Sequence, residues 1–137
     1  MNKHIEKAME LRNEVPMRYN CAETLFLSYA EELGLSEETA LGLAHNIGGG
    51  LGYGATCGAI VTGLIILGAN GIKDSNTLKQ YRRAMADRHD GLMNCKDLLS
   101  GAVKAGKDKK THCDKMITDS IELIDEIIAA RKAEAEE

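Results

Sequence analysis

The chain has 137 residues, 44% apolar and 28% charged, which supplies one core and a charged surface but leaves little room for a second domain. A net charge of −4, no Trp, one Phe and four Tyr exclude the clustered basic face and the aromatic platforms that nucleic-acid binding needs. The opening Met1 to Glu10 has no apolar signal core, and the longest apolar run, Gly58 to Ala69, is broken by glycine and too short to span a bilayer.

The first helix is expected from Lys3 to Glu14, with Ile5, Ala8, Leu11 and Val15 on one face. A second runs from Cys21 to Leu33, with Ala22, Leu25, Phe26, Tyr29 and Leu33 as its apolar stripe and Gly34 as its stop. Ser36 is the N-cap of a third, which ends before Gly48. Five glycines in the seven residues Gly48 to Gly54 predict a loop, with Tyr53 turned into the core. The fourth helix, Cys57 to Ala69, is apolar nearly all round and is placed at the buried centre.

A fifth helix spans Asn76 to His89, where Tyr81, Arg82, Arg83 and Arg88 read as a solvated basic face. A short sixth spans Cys95 to Leu99, and Lys104 to Lys110 reads as an exposed loop. The seventh runs from Asp114 to Lys132 on Met116, Ile117, Ile121, Ile124, Ile127 and Ile128. The acidic tail, residues 133–137, is expected to fray, because a helix C-terminus prefers cations. No strand alternation is visible. The expected fold is all-α: one compact bundle of six or seven helices over residues 1–137, around a central, glycine-containing helix.

A chain without a signal or a membrane span is expected in the cytoplasm, where thiols stay reduced. Four cysteines there, Cys21, Cys57, Cys95 and Cys113, point to metal binding or redox chemistry rather than structural disulfides. They are 36, 38 and 18 residues apart, so no CxxC pair exists and any shared site must be built by the fold or across a dimer interface. What they share is context. Asn20 precedes Cys21, with Glu23 three residues after the Asn; Asn94 and Asp97 frame Cys95 in the same way; Thr111 and Asp114 frame Cys113; Thr56 precedes Cys57. Each pattern reads as an N-cap, three with an acidic partner at N3. All four sulfurs are thus expected in the first turn of a helix, where free N–H groups and the dipole favour the thiolate. His112 stands beside Cys113 and is a candidate donor of a hydrogen bond or positive charge to it. Cys21 and Cys57, next to the glycine run, are the pair most expected to meet.

Cys21, then Gly54-Ala-Thr-Cys57-Gly58-Ala59, then Cys95 and Cys113 resemble the C-GCAxxG-C-C family of redox-active proteins, from about Tyr19 to Ile128. The family's closing glycine falls late here: Thr62 holds its place and Gly63 follows. The resemblance implies a redox role with Gly54 and Gly58 giving close backbone approach to the thiols, and an oxidoreductase or electron-transfer protein as partner. A related four-cysteine module in split-Soret cytochromes implies an iron–sulfur cluster on Cys21, Cys57, Cys95 and Cys113, matching Cys₄ ligation. Two alternatives stay open: thiol–disulfide exchange by a reactive pair of the four, and a structural zinc site on the same residues. A homodimer is expected from the glycine-lined apolar helix, and no nucleic-acid or membrane partner.

Overall fold

A computed structural model describes residues 2–136, and these form seven α-helices with no strand among them. They are α1 (Lys3–Arg12), α2 (Cys21–Ala30), α3 (Glu37–Ala44), α4 (Gly58–Ala69), α5 (Ser75–Asp87), α6 (Cys95–Lys104) and α7 (Lys109–Glu136). A 3₁₀ turn, His45–Ile47, extends α3, and the glycine run forms a single π-type turn over Gly50–Gly54. None of these helices is long and apolar enough to cross a membrane.

Local chemistry sets most helix starts. Asn2, Ser36 and Asp74 each accept a hydrogen bond from the first turn of α1, α3 and α5. At α2 the capping box is complete: Glu23 N–H donates to Asn20 Oδ1 at 2.8 Å, and Asn20 N–H donates to Glu23 Oε1 at 3.0 Å. A cap of this kind is worth about 1 kcal/mol, and here it fixes the direction of the residue that follows Asn20, which is Cys21.

The main core joins Leu25 and Tyr29 of α2, Ala59, Ile60, Ile66 and Leu67 of α4, Tyr81 and Met85 of α5, and Met116, Ile117, Ile121 and Ile124 of α7. A smaller core, Ala22, Phe26 and Ala30 against Ala40 and Ala44, docks α3 on the other side of α2. The α4 helix is central, in contact with both α2 and α7. Gly63 is what allows this. A side-chain carbon there would collide with the Tyr81 hydroxyl, which bonds Ser120 Oγ at 2.5 Å, while Ser120 Oγ also donates to the Ala59 carbonyl at 3.2 Å. The glycine displaced by one residue from the family signature is thus the one at the α4–α5–α7 contact.

Several sequence expectations change. Helix α6 continues to Lys104, and α7 starts at Lys109 on an Asp108 cap whose Oδ1 accepts from Thr111 N–H at 2.8 Å. The lysine-rich loop shrinks to residues 105–108. Helix α7 stays regular through Glu136 despite its acidic end, and Glu137 lies outside the described residues. Tyr53 is 76% exposed rather than packed in the core, because the π-type turn carries it outward. Tyr81 and Arg88 leave the proposed basic face: the first is buried, and the second pairs with Asp119 at 3.1 Å and Glu122 at 2.9 Å.

Candidate functional site

The four cysteines arrive on four different elements. Cys21 is the first residue of α2, Cys57 the N-cap of α4, and Cys95 the first residue of α6. Cys113 is the exception to the expected pattern. With Asp108 capping α7, it sits in the second turn, beyond the reach of the free N–H groups. The box expected at Cys95 and the Thr56 cap expected at Cys57 also fail to form, since Asn94 makes no side-chain cap and Thr56 is one residue before the true cap. Both residues instead pair with each other as an isolated antiparallel bridge. Cys57 N–H donates to Met93 O at 2.8 Å and Cys95 N–H to Ala55 O at 2.6 Å, so the approaches to α4 and α6 are fastened side by side.

The glycines shape the same place. A side-chain carbon at Gly58 would lie 3.0 Å from Cys21 Sγ and 3.0 Å from the Ile47 carbonyl oxygen. One at Gly50 would lie 2.7 Å from Cys95 Cβ, and one at Gly54 3.0 Å from Lys96 Cβ. Gly54 also adopts φ +78°, a conformation that side chains disfavour. The glycine run therefore lets backbone pass against Cys21 on one side and the start of α6 on the other. Leu51, at the tip, holds a left-handed φ of 61° without being glycine.

Two of the cysteines lie together. Cys21 and Cys57, 8% and 4% exposed, share the main core, and Gly58, the residue after Cys57, packs against Cys21 Sγ. Their acidities separate. The Cys57 thiol donates to Cys21, and with the N–H groups of Gly49 and Ala22 and the positive charge of Arg12 it outweighs burial and pulls the Cys21 pKa well down. Cys57 moves the other way: it holds its proton for Cys21, is buried, and faces the Cys21 charge. The N–H groups of Ala59 and Ile60 oppose this without making a capping hydrogen bond.

Cys95 and Cys113 are half-buried and lie within the field of Cys21. Burial, then the Cys21 charge, raises Cys95. Cys113 is pushed up to about 11, by burial first and then by Cys21, against the pull of Arg12. The expectation that helix N-termini activate all four thiols is therefore corrected to one. Once Cys21 carries the anion, each neighbouring thiol would have to ionise next to a like charge in a poorly solvated place. His112 does not serve Cys113 as a cation either. It is 8% exposed, and burial, His89 and Lys107 push its pKa down, which favours the neutral ring.

The donor chemistry of four thiols suits an iron–sulfur cluster or zinc. Among the described residues, no group of three or more His, Cys, Asp or Glu is arranged to hold a metal ion. What the fold presents is a buried pair of neighbouring cysteines, with two more in the field of Cys21. Sequence reasoning found this pair but missed Arg12, a buried residue of α1 in the same neighbourhood. Its signal was the i+4 spacing from Ala8, which places it on the packed face of α1.

Comparison with curated proteins and with solved structures finds no match. A family model does match, over residues 19–127, and carries the description "Putative redox-active protein (C_GCAxxG_C_C)". That span takes in all four cysteines, the glycine run and the whole of α2 through α6. The chain belongs to the C_GCAxxG_C_C family of redox-active proteins.

Proposed function

We propose that the chain is a thiol–disulfide redox protein in which Cys21 is the nucleophile and Cys57 the resolving thiol. The observation that carries this reading is the burial of Cys21 and Cys57 side by side in the core, with Gly58 against Cys21 Sγ, where one sulfur is favoured as the anion and the other keeps its proton. An attacking thiolate with a protonated partner beside it is what disulfide exchange requires.

The steps balance as follows. The Cys21 thiolate attacks one sulfur of a substrate disulfide, forming a mixed disulfide and releasing the other substrate sulfur as thiolate, which takes the proton that Cys57 gives up. The Cys57 thiolate then attacks Cys21 Sγ. The second substrate sulfur leaves and takes a proton from solvent. The substrate disulfide has gained two electrons and two protons, and Cys21–Cys57 has become a disulfide. A second thiol protein, acting as the oxidoreductase partner, returns the pair to the dithiol. The low exposure of both sulfurs favours small disulfides, or one presented on an extended loop, over a broad protein surface.

The test is equilibration of the full chain, purified without oxygen, in glutathione buffers from about −300 to about −150 mV. Expected is the reversible loss of two thiols per chain, with a Cys21–Cys57 cross-link in the peptide map. Cys21→Ser and Cys57→Ser should abolish it, whereas Cys95→Ser should not. An unchanged thiol count would overturn the reading. So would iron with acid-labile sulfide, or zinc, bound in stoichiometric amount and lost in each of the four cysteine variants.

A further inference from the structure

Arg12 ends α1, seven residues before the span shared with the family begins. Its side chain is 3% exposed, although arginine is almost never buried without partners. Nε donates to Asp114 Oδ1 at 2.6 Å, and Nη1 donates to the Tyr19 carbonyl at 3.1 Å. Tyr19 stands two residues before Cys21, and Asp114 directly follows Cys113. One guanidinium therefore fastens the approach to α2 and the thiol-bearing turn of α7 to the same point.

The charges around this point do not cancel. Asp114 is shared, because Lys110 Nζ also donates to its Oδ2 at 2.7 Å. One carboxylate thus faces two cations, and the better buried of the two is Arg12, whose field reaches both Cys21 and Cys113. The other titratable groups that act on or are acted on by Cys21 are Cys57 of α4, Cys95 of α6 and Cys113 of α7, the last two also within the field of Lys109, and Glu23 follows two residues along α2. Glu23 is committed to the Asn20 N–H and to His45, 3.3 Å away.

We infer that Arg12 is a positioning residue for the Cys21–Cys57 couple, holding the Cys21 segment through the Tyr19 carbonyl and placing a buried positive charge opposite the Cys21 anion. The inference rests on the reading of Cys21 as the nucleophile. It assigns a working role to α1, which lies outside the span of the family model.

A charge that stabilises the reduced, anionic form makes the disulfide easier to reduce. Arg12→Gln should therefore shift the dithiol–disulfide equilibrium about tenfold toward the disulfide in the glutathione titration, a fall of about 30 mV. Asp114→Asn should shift it the opposite way, since it frees the Arg12 charge from its counter-ion. Opposite signs are the signature of a field. A scaffold role alone would move both variants in one direction or lower their melting temperatures without moving the equilibrium. Either of those results overturns the inference, as does an Arg12→Gln equilibrium equal to the unaltered protein's. Should Arg12→Gln fail to fold, the sign of the Asp114→Asn shift decides alone. If the unaltered chain shows no two-electron couple at all, the reading of Cys21 fails instead.

Discussion

Cys21 illustrates how little of a thiol's chemistry follows from its position on a helix. Cys95 is likewise the first residue of a helix, yet burial and the Cys21 charge raise its pKa. The difference is the company: Cys21 has a thiol donor, the Gly49 N–H and a buried guanidinium. Two expectations follow at this scale. Thiolate absorbance should show one low titration in the native protein, and Cys57→Ala, which removes the thiol that most lowers the Cys21 pKa, should move that titration upward. Gly58→Ala inserts a carbon 3.0 Å from both Cys21 Sγ and a carbonyl oxygen, neither of which can move freely. We expect it to destabilise the fold by about 1–3 kcal/mol in a denaturant titration. The sequence showed where the first helical residues Cys21 and Cys95 lie. It did not show which neighbour would be charged, because that depends on residues such as Arg12 that are distant along the chain.

At the scale of elements, capping chemistry was legible and its absence was not. Asn20 with Glu23 forms the box its spacing implies, whereas Asn94 with Asp97 does not, although Asn94, paired with Thr56 in the bridge, has the extended backbone of the other caps. Thr111 with Asp114 failed for a different reason: Asp108 is an equally good cap three residues earlier and wins, which starts α7 sooner. Periodic apolar stripes were read correctly on α2, α4 and α7, where burial is one-sided or complete. On α5 the run of arginines hid Tyr81, whose ring is fully buried and whose hydroxyl reaches Ser120 and the Ile60 carbonyl. Tyr81→Phe removes this link while Ser120 keeps its bond to Ala59, so a loss of about 1 kcal/mol is expected on thermal unfolding.

For the molecule as a whole, α7 is the strut to which the other helices are tied by charge. Near its middle Asp119 is fully buried, 2.7 Å from Lys115 Nζ and 3.1 Å from Arg88 Nη1. His89 Nε2 lies 2.8 Å from the other oxygen, though not in hydrogen-bond alignment. Burial alone would raise this carboxyl, but His89 and Lys115 hold it down to about 2, against an ordinary value of 3.8. A folded-state value below the unfolded one means that the stabilisation is present in full above about pH 4 and is lost as pH falls through about 2. Denaturant midpoints should therefore drop between those values, and Asp119→Asn should flatten the drop. Further along α7, Asp125 accepts from the Tyr29 hydroxyl at 2.7 Å and lies 2.9 Å from His4 Nδ1, joining α1 and α2 to the same strut. The family likeness and the all-helical bundle were readable from patterns along the chain. The meeting of Cys21 with Cys57 was foreseen only from their shared proximity to the glycine run, and the fold supplies the rest by passing backbone through gaps where side chains are missing.

The Thr56–Asn94 bridge carries one more consequence, for the exchange of amide protons with solvent. It commits the N–H groups of Cys57 and Cys95 to the Met93 and Ala55 carbonyls respectively, so neither can turn toward sulfur, whereas Gly49 donates to Cys21 itself. Deuterium should thus enter slowly at Cys57 and Cys95 in both redox states. Oxidation replaces the Cys21 anion with a neutral sulfur, a far weaker acceptor, and exchange at Gly49 should quicken. A single glycine amide then becomes a clock that reads the oxidation state of the pair beneath it.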